Sequence, residues 1–438
     1  GYSGGTVVKT GNIDLGAGST FGSGTVTFQG GSVSVAGNYP NAGWSINVPQ
    51  GSMGTITTPD YCNFSGALTG AGTLSVMVPF VREEFSGNWS AFTGTVNVTT
   101  DADGGEMRLN NASGYPNVTF NLAQAGVHLF YNVAASSNNG AQTVNIGALS
   151  GVANSALYDE NWVIGAKNIN TTFSGKIYSN MMTKVGTGNL VLTDTCFYTN
   201  ATTVSAGTLI LGPTACLKGS LIVSSAGTAA GNGLVVGAGA ISGTIAPGIN
   251  TIGKLSFNNN IAFSTAGAAL IEVKKLPNAN DVISTTGTIT YNGTLNITNI
   301  GTTAFADGDS IPIFKATKYA GSFKSIVPET PGDGLAWDIS ALNTRGVLRV
   351  TKVLGLKSLM DMGITIAPNP VKENLHITFE TEDANTVVSI YGLNGKLIFN
   401  QKADNLQMII PMEKFRSGTY IVRVTTQTDV AVSSIIKK

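Results

Sequence analysis

Alternation of apolar and polar residues at a period of two dominates the chain, in runs of only three to six residues. A short unit recurs: a glycine, a small or polar residue, Leu or Val, any residue, then an apolar one. It reads Gly24-Thr25-Val26-Thr27-Phe28, Gly31-Ser32-Val33-Ser34-Val35, Gly72-Thr73-Leu74-Ser75-Val76 and Gly94-Thr95-Val96-Asn97-Val98 in the first quarter. It returns at Gly188–Leu192, Gly207–Leu211, Gly219–Val223 and Gly293–Ile297. Each copy predicts a turn glycine followed by a strand whose alternate side chains point inward.

A second unit is Phe-Ser/Thr-Gly, at Phe64, Phe85, Phe92 and Phe173. The step from Phe64 to Phe85 is 21 residues and that from Gly188 to Gly207 is 19. Periods near 20 built from short strands suit a solenoid in which each coil adds one rung. The expected body is therefore an all-β, Gly-rich, right-handed parallel β-helix over residues 1–351, with glycine where the coil turns sharply. An array of antiparallel β-sandwiches is the competing architecture.

Composition agrees. Of 438 residues, 55 are glycine, 42% are apolar and only 11% are charged. That combination excludes long helices and an ordinary α/β enzyme, and abundant β-branched residues exclude disorder. Net charge is zero, so no nucleic-acid footprint exists. No run of 18 apolar residues is present to span a membrane as a helix. The chain starts at Gly1 without Met or a signal-peptide pattern, so it reads as processed or as a piece of something longer, and a catalytic domain could lie upstream.

Within the body, Lys184–Thr193 through Tyr198-Thr199, then Thr202–Gly212, resembles the autotransporter-associated β-strand repeat. It departs from that pattern at Asp194, Cys196 and Asn200, in a turn; Asn200 can still occupy a left-handed position. Ile245-Ala246-Pro247-Gly248 with Ile252–Leu255, and Ala306–Ile311 with Gly321-Ser322-Phe323, look like the same kind of passenger. Gly334–Leu342 and Gly346–Val350 read as closing rungs that cap the apolar column. The resemblance covers residues 184–350 and implies a rigid extracellular stalk or passenger.

From residue 364 the composition shifts. Fifteen of the last 75 residues are charged, against 35 of the preceding 363, and only three are glycine. Such a shift marks a domain boundary, with 352–363 as linker. Runs such as Leu375–Phe379, Val387–Tyr391, Leu397–Phe399, Met408–Ile410 and Tyr420–Val424 predict five to seven short strands in a small antiparallel Ig-like sandwich over 364–438. Asn394-Gly395 between two runs predicts a hairpin whose two turn residues both take positive φ.

Four ordered blocks make the tail specific: Ala367-Pro368-Asn369-Pro370-Val371, Val388–Gly392 with Leu393-Asn394-Gly395-Lys396, Ser417-Gly418-Thr419-Tyr420–Val424, and Ile435-Ile436-Lys437-Lys438. Together they resemble the type A C-terminal sorting domain of type IX secretion. The resemblance implies a Bacteroidota protein, secreted or at the cell surface, whose folded tail is recognised by a PorV-type shuttle barrel and a SprA-type translocon. A sortase-like protease that removes the tail is also implied. Pro368, Asn369, Pro370, Gly392, Gly395, Lys396, Gly418, Tyr420, Ile435, Ile436, Lys437 and Lys438 are the residues the resemblance assigns to recognition. An exposed edge strand near Ile435-Ile436 is expected to pair with partner backbone.

Other chemistry is sparse. His128 and His376 lack metal-ligand spacing, with His376 expected to face solvent, and no cofactor is indicated. Arg82-Glu83-Glu84, Asp101-Ala102-Asp103-Gly104-Gly105-Glu106 and Asp159-Glu160 are acidic clusters; the second has spacing for a weak Ca²⁺. Solvated turns explain all three more simply. Asp309-Ser310-Ile311 resembles a Bacteroidota O-glycosylation sequence, with Ser310 as acceptor. Trp44, Trp89, Trp162 and Trp337 with Tyr158 would form a glycan-stacking surface if they faced outward, although tryptophans in so long a chain are better placed in the core. Of Cys62, Cys196 and Cys216, the last two are one coil apart and either bridge or, the favoured reading, stay reduced. The leading function is an exported stalk or passenger. The alternative is an enzyme or adhesin acting on an extracellular polysaccharide.

Overall fold

In the computed structural model, all residues are described except 1, 17, 36, 38, 59, 80–82, 102–103, 112–113, 132–141, 354, 382–384 and 427–428. The chain forms two compact units. The first is a parallel β-solenoid of about eleven turns. One of its faces is a 13-stranded sheet whose strands, from Tyr39–Ala42 to Phe314–Lys315, are two to four residues long.

The period-two pattern produces the stack directly. Val33, Ile56, Val76, Val98 and Leu122 are successive register partners on neighbouring coils. All five are fully buried. Each such side chain stabilises the fold by roughly 1.5–3 kcal/mol. Both sequence intervals are one coil: Phe64 pairs with Phe85, and Asn189 with Thr208. The Phe64 and Phe85 rings stack at 5.0 Å inside the core.

The glycine of the Phe-Ser-Gly unit has a cause other than a sharp turn. Neither Gly66 nor Gly87 has positive φ. A Cβ on Gly87 would instead collide with the Gly66 carbonyl on the coil below, and one on Gly66 with the Trp44 carbonyl. Here glycine permits close approach of stacked backbones.

Parallel rungs continue through Phe314–Lys315, Lys318–Gly321 and Ser325–Val327, but residues 347–350, expected from sequence as a closing rung, do not extend them. Ser310–Pro312 runs antiparallel to Val347–Arg349. Leu342–Arg345 is a one-turn helix ending at Gly346 with φ 69°. Reversing the chain ends the parallel ladder, which would otherwise offer unpaired amides to another strand.

The second unit contains the tail sandwich. One sheet has five strands, ordered Gly355–Lys357, Asp429–Lys437, Gly418–Thr425, Val387–Gly392 and Leu397–Lys402. The other has three, ordered Ile364–Ala367, Asn374–Phe379 and Gln407–Pro411. All pairs are antiparallel except Gly355–Lys357 with Asp429–Ala431. The stretch expected as a linker therefore contributes a strand, and its Leu359 and Met362 pack on the core formed by Ile364, Leu375, Ile377, Val388, Ile390, Val422, Val424 and Ile435.

Candidate functional site

The four tail blocks converge on the last strand. Asn369 Nδ2 donates to the Ser434 carbonyl at 3.0 Å, and the Ile436 amide donates to Asn369 Oδ1 at 2.9 Å. Val371 N–H donates to the Ile436 carbonyl at 2.8 Å, and Lys438 N–H to the Val371 carbonyl at 2.9 Å. Pro368 and Pro370, both exposed, flank this clamp. The strand Asp429–Lys437 thus has Gly418–Thr425 along one edge, and Gly355–Lys357 with Asn369–Val371 along the other.

The expected free edge at Ile435-Ile436 is therefore not there. Both flanks are occupied, and Ile435 is 1% exposed in the core. Ile436 projects outward at 47% exposure, with Lys437 half-buried and Lys438 exposed beyond it.

Tyr420 is also structural. Its ring is buried edge-on against Phe415, and its hydroxyl donates to the Arg416 carbonyl at 2.8 Å, four residues upstream. This is the tyrosine-corner arrangement of Ig-like sandwiches. Exposed Gly418 opens the same strand.

The hairpin forms where expected but by a different turn. Gly395 N–H donates to the Gly392 carbonyl and Gly392 N–H to the Lys396 carbonyl. Of Asn394 and Gly395, only Gly395 has positive φ, at 75°. Asn394 Oδ1 instead accepts the Lys396 amide at 3.1 Å. The pairing then slips between Ile390 and Tyr391, so the extra residue sits at Ile398. A turn closed by one left-handed glycine and a bulge replaces the two-residue turn.

This hairpin carries a sheet edge that is unpaired among the described residues, Leu397–Lys402. Around it Leu393, Leu397 and Ile398 are 72%, 48% and 47% exposed, beside exposed Lys396. Leu397, Tyr391 and Ile421 lie in register across three strands. Nothing in the sequence separated this edge from the other strands; only the sheet order does.

On the body, Trp44, Trp89 and Trp162 are buried, and Trp162 Nε1 donates to the Tyr158 and Asp159 carbonyls. These three cannot form a glycan-stacking surface; Trp337 is half-buried. Arg82, Ala102 and Asp103 lie outside the described residues. Glu84 accepts bonds from Tyr61 and Asn110, Glu106 pairs with Arg108 at 2.7 Å, and Glu160 accepts the Gln142 amide. Among the described residues no group of three metal-ligating side chains occurs. His376 and Ser310 are exposed. Cys196 and Cys216 are not bridged; Cys196 pairs in register with Leu217 rather than Cys216, which turns the two thiols to opposite faces.

A carboxylate pair that sequence reasoning missed lines a hollow of about 200 Å³ with Ile210, Leu270, Pro247 and Asn250. Asp281 Oδ1 accepts the Gly253 amide and Oδ2 the Glu272 amide, both at 2.8 Å. Burial, reinforced by the Glu272 charge, pushes Asp281 up to about 6. The two acids are nine positions apart across a hairpin, so no short motif announces them.

Fold and clamp together define a β-solenoid bearing a folded C-terminal module. Residues 365–438 match the family model described as the secretion system C-terminal sorting domain. The tail is a type IX C-terminal sorting domain, and the chain is a type IX export substrate with a β-solenoid body, carried across the outer membrane to the cell surface or beyond. A tail of this kind implies interaction with the type IX secretion machinery.

The body is similar to the adhesin BmaC autotransporter of Brucella suis, 31% identical over 156 residues, or 35% of this chain and 4% of that protein. The chain is also similar to a funoran endo-beta-hydrolase of Wenyingzhuangia aestuarii, 27% identical over 96 residues, 22% of this chain and 13% of that one. The chain thus spans only a small part of either relative. A solved structure of PorZ, a surface component of the type IX system of Porphyromonas gingivalis, aligns at 16% identity over 26% of this chain and 16% of that one, with a TM-score of 0.17.

Proposed function

We propose that a PorV-type shuttle barrel and a SprA-type translocon read the tail as a folded surface centred on the hairpin edge Leu397–Lys402. The observation that carries this reading is that edge's unpaired flank, set among exposed Leu393, Leu397 and Ile398 while the last strand is paired on both sides. Strand addition at an open edge supplies main-chain hydrogen bonds, and apolar neighbours supply burial. In this reading Asn369, Tyr420 and Ile435 hold the surface in shape, while Lys396, Ile436, Lys437 and Lys438 contact the partner. The solenoid is the passenger, a rigid stalk; Ser310 is an acceptor for O-glycosylation; and a sortase-like protease cuts ahead of the sandwich.

The test is capture from outer-membrane extract by the intact chain, by a chain ending at Lys352, and by a chain carrying Leu397→Lys with Ile398→Lys. Recovery of the barrel or translocon by the intact chain alone supports the reading. Equal recovery by the double variant moves recognition away from the hairpin, and recovery by the truncated chain removes it from the tail.

A second reading follows from the Glu272–Asp281 hollow: hydrolysis of an extracellular polysaccharide, with these carboxylates as acid and base. Release of reducing ends from funoran by the chain, lost in Glu272→Gln, would support it. No release would remove it.

A further inference from the structure

An outward column of the 13-stranded sheet holds an aromatic stack that no tail or enzyme reading uses. Glu84, Arg108 and Phe130 are successive register partners. Phe130 then stacks on Tyr158 at 4.6 Å, Tyr158 on Tyr178 at 5.0 Å, and Tyr178 on Phe197 at 4.7 Å, with ring planes within 15°. Lys218 follows Leu217, the partner of Cys196, and so takes the next place. Arg108 covers the free face of Phe130 at 5.1 Å. Tyr178 and Phe197 remain 36% and 43% exposed.

Stacking settles what this face can receive. Rung spacing of about 4.8 Å equals the stacking distance, so both faces of Phe130, Tyr158 and Tyr178 are covered by their neighbours. Sugars lie on aromatic faces, and these three rings show a ligand only edges. An apolar strip of ring edges bounded by charges is suited to another sheet.

The order of the column is self-complementary. When two copies are laid face to face with solenoid axes opposed, and a two-fold axis runs along the Tyr158 strand, Tyr158 meets Tyr158 and Phe130 meets Tyr178. Arg108 then meets Phe197, a cation over an aromatic edge region, and Glu84 meets Lys218. In the neighbouring column His128 meets Lys176, and burial, opposed by Glu106, holds His128 toward its neutral form. A shift of one rung in one direction would set Arg108 against Lys218, and in the other would leave Glu84 facing Phe197 without its cation, so charge favours this register. We propose that this face is a self-docking surface through which two copies of the chain pair antiparallel.

The strip is narrow, smaller than a standard interface of roughly 800 Å² per partner. Association is therefore weak in dilute solution and favoured where chains are crowded side by side. Sedimentation equilibrium of the full chain across the micromolar-to-millimolar range should show a monomer–dimer equilibrium. Lys218→Glu should weaken it at least tenfold, and Glu84→Lys with Lys218→Glu should restore it. A short bismaleimide should cross-link Tyr158→Cys to itself above the wild-type background and Phe197→Cys no more than wild type, a readout that does not depend on Glu84 tolerating substitution. A monomer throughout, equal cross-linking of the two cysteine variants, or a monomer retarded in a galactan gel through Tyr178 and Phe197 would overturn the proposal.

Discussion

The Ile436 amide donates to the Asn369 side chain across 67 residues of sequence, while the same side chain donates back to Ser434. One asparagine thus satisfies two backbone groups on the outer flank of the last strand, replacing the rung that a neighbouring strand would supply. Asn369→Ala should lower tail stability by about 1–2 kcal/mol through the two lost bonds. Asn369→Asp keeps the acceptor for Ile436 but sets a carboxylate oxygen against the Ser434 carbonyl, so it should lose at least as much. Urea unfolding of the two variants, with export measured in parallel, checks the order.

Deleting Ile435–Lys438 should unfold the tail rather than strip a recognition peptide from a folded one. Ile435 is buried in the sandwich core, and its strand is paired on both flanks. The expected result is loss of the tail's thermal transition together with export; a tail that melts as before but fails to export would place recognition at the terminus itself.

Gly87→Ala should destabilise the solenoid by about 1–3 kcal/mol, because the new methyl meets a rigid carbonyl on the adjacent coil. Gly308→Ala is not an equivalent control, since its φ is 86° although its surroundings are open. Denaturant midpoints of Gly87→Ala and Gly66→Ala should fall together.

Lys184 replaces an aliphatic residue in the inward column of Ile164, Val204 and Val223. Its Nζ donates to the carbonyls of Val185, Gly186 and Ala206 at 2.7, 2.9 and 3.2 Å. Burial lowers it from 10.5 to about 8. Between those values the unfolded chain binds more protons than the folded one, so this group makes stability rise with pH from about 8 toward 10.5. Melting temperatures across that window should climb in the wild type, and Lys184→Met should flatten the climb.

Much of the fold was legible locally. Glycine-led strand units at 19- and 21-residue steps gave the rungs, since a coil of fixed length must repeat its turn chemistry. The tail blocks gave the sorting domain, because each is a turn or strand start with its own residue demands. Trp162 was legible as core; the aromatic stack was not. Phe130, Tyr158, Tyr178 and Phe197 are separated by 28, 20 and 19 residues, and no constant period links them. The Glu272–Asp281 hollow was hidden for the same reason, its lining drawn from successive coils.

By itself the sequence determined the class of strand, the stacking of coils, the two-part organisation and the export destination, all of which follow from short-range alternation and turn residues. Only the tertiary structure decided which strand edges stay open and which outward side chains share a column. Both depend on register, and coil lengths vary with insertions. A slip of one residue turns every side chain to the opposite face. The same physics closed the edge at Ile436, left the one at Leu397 free, and brought Glu84 and Lys218 to the two ends of one line.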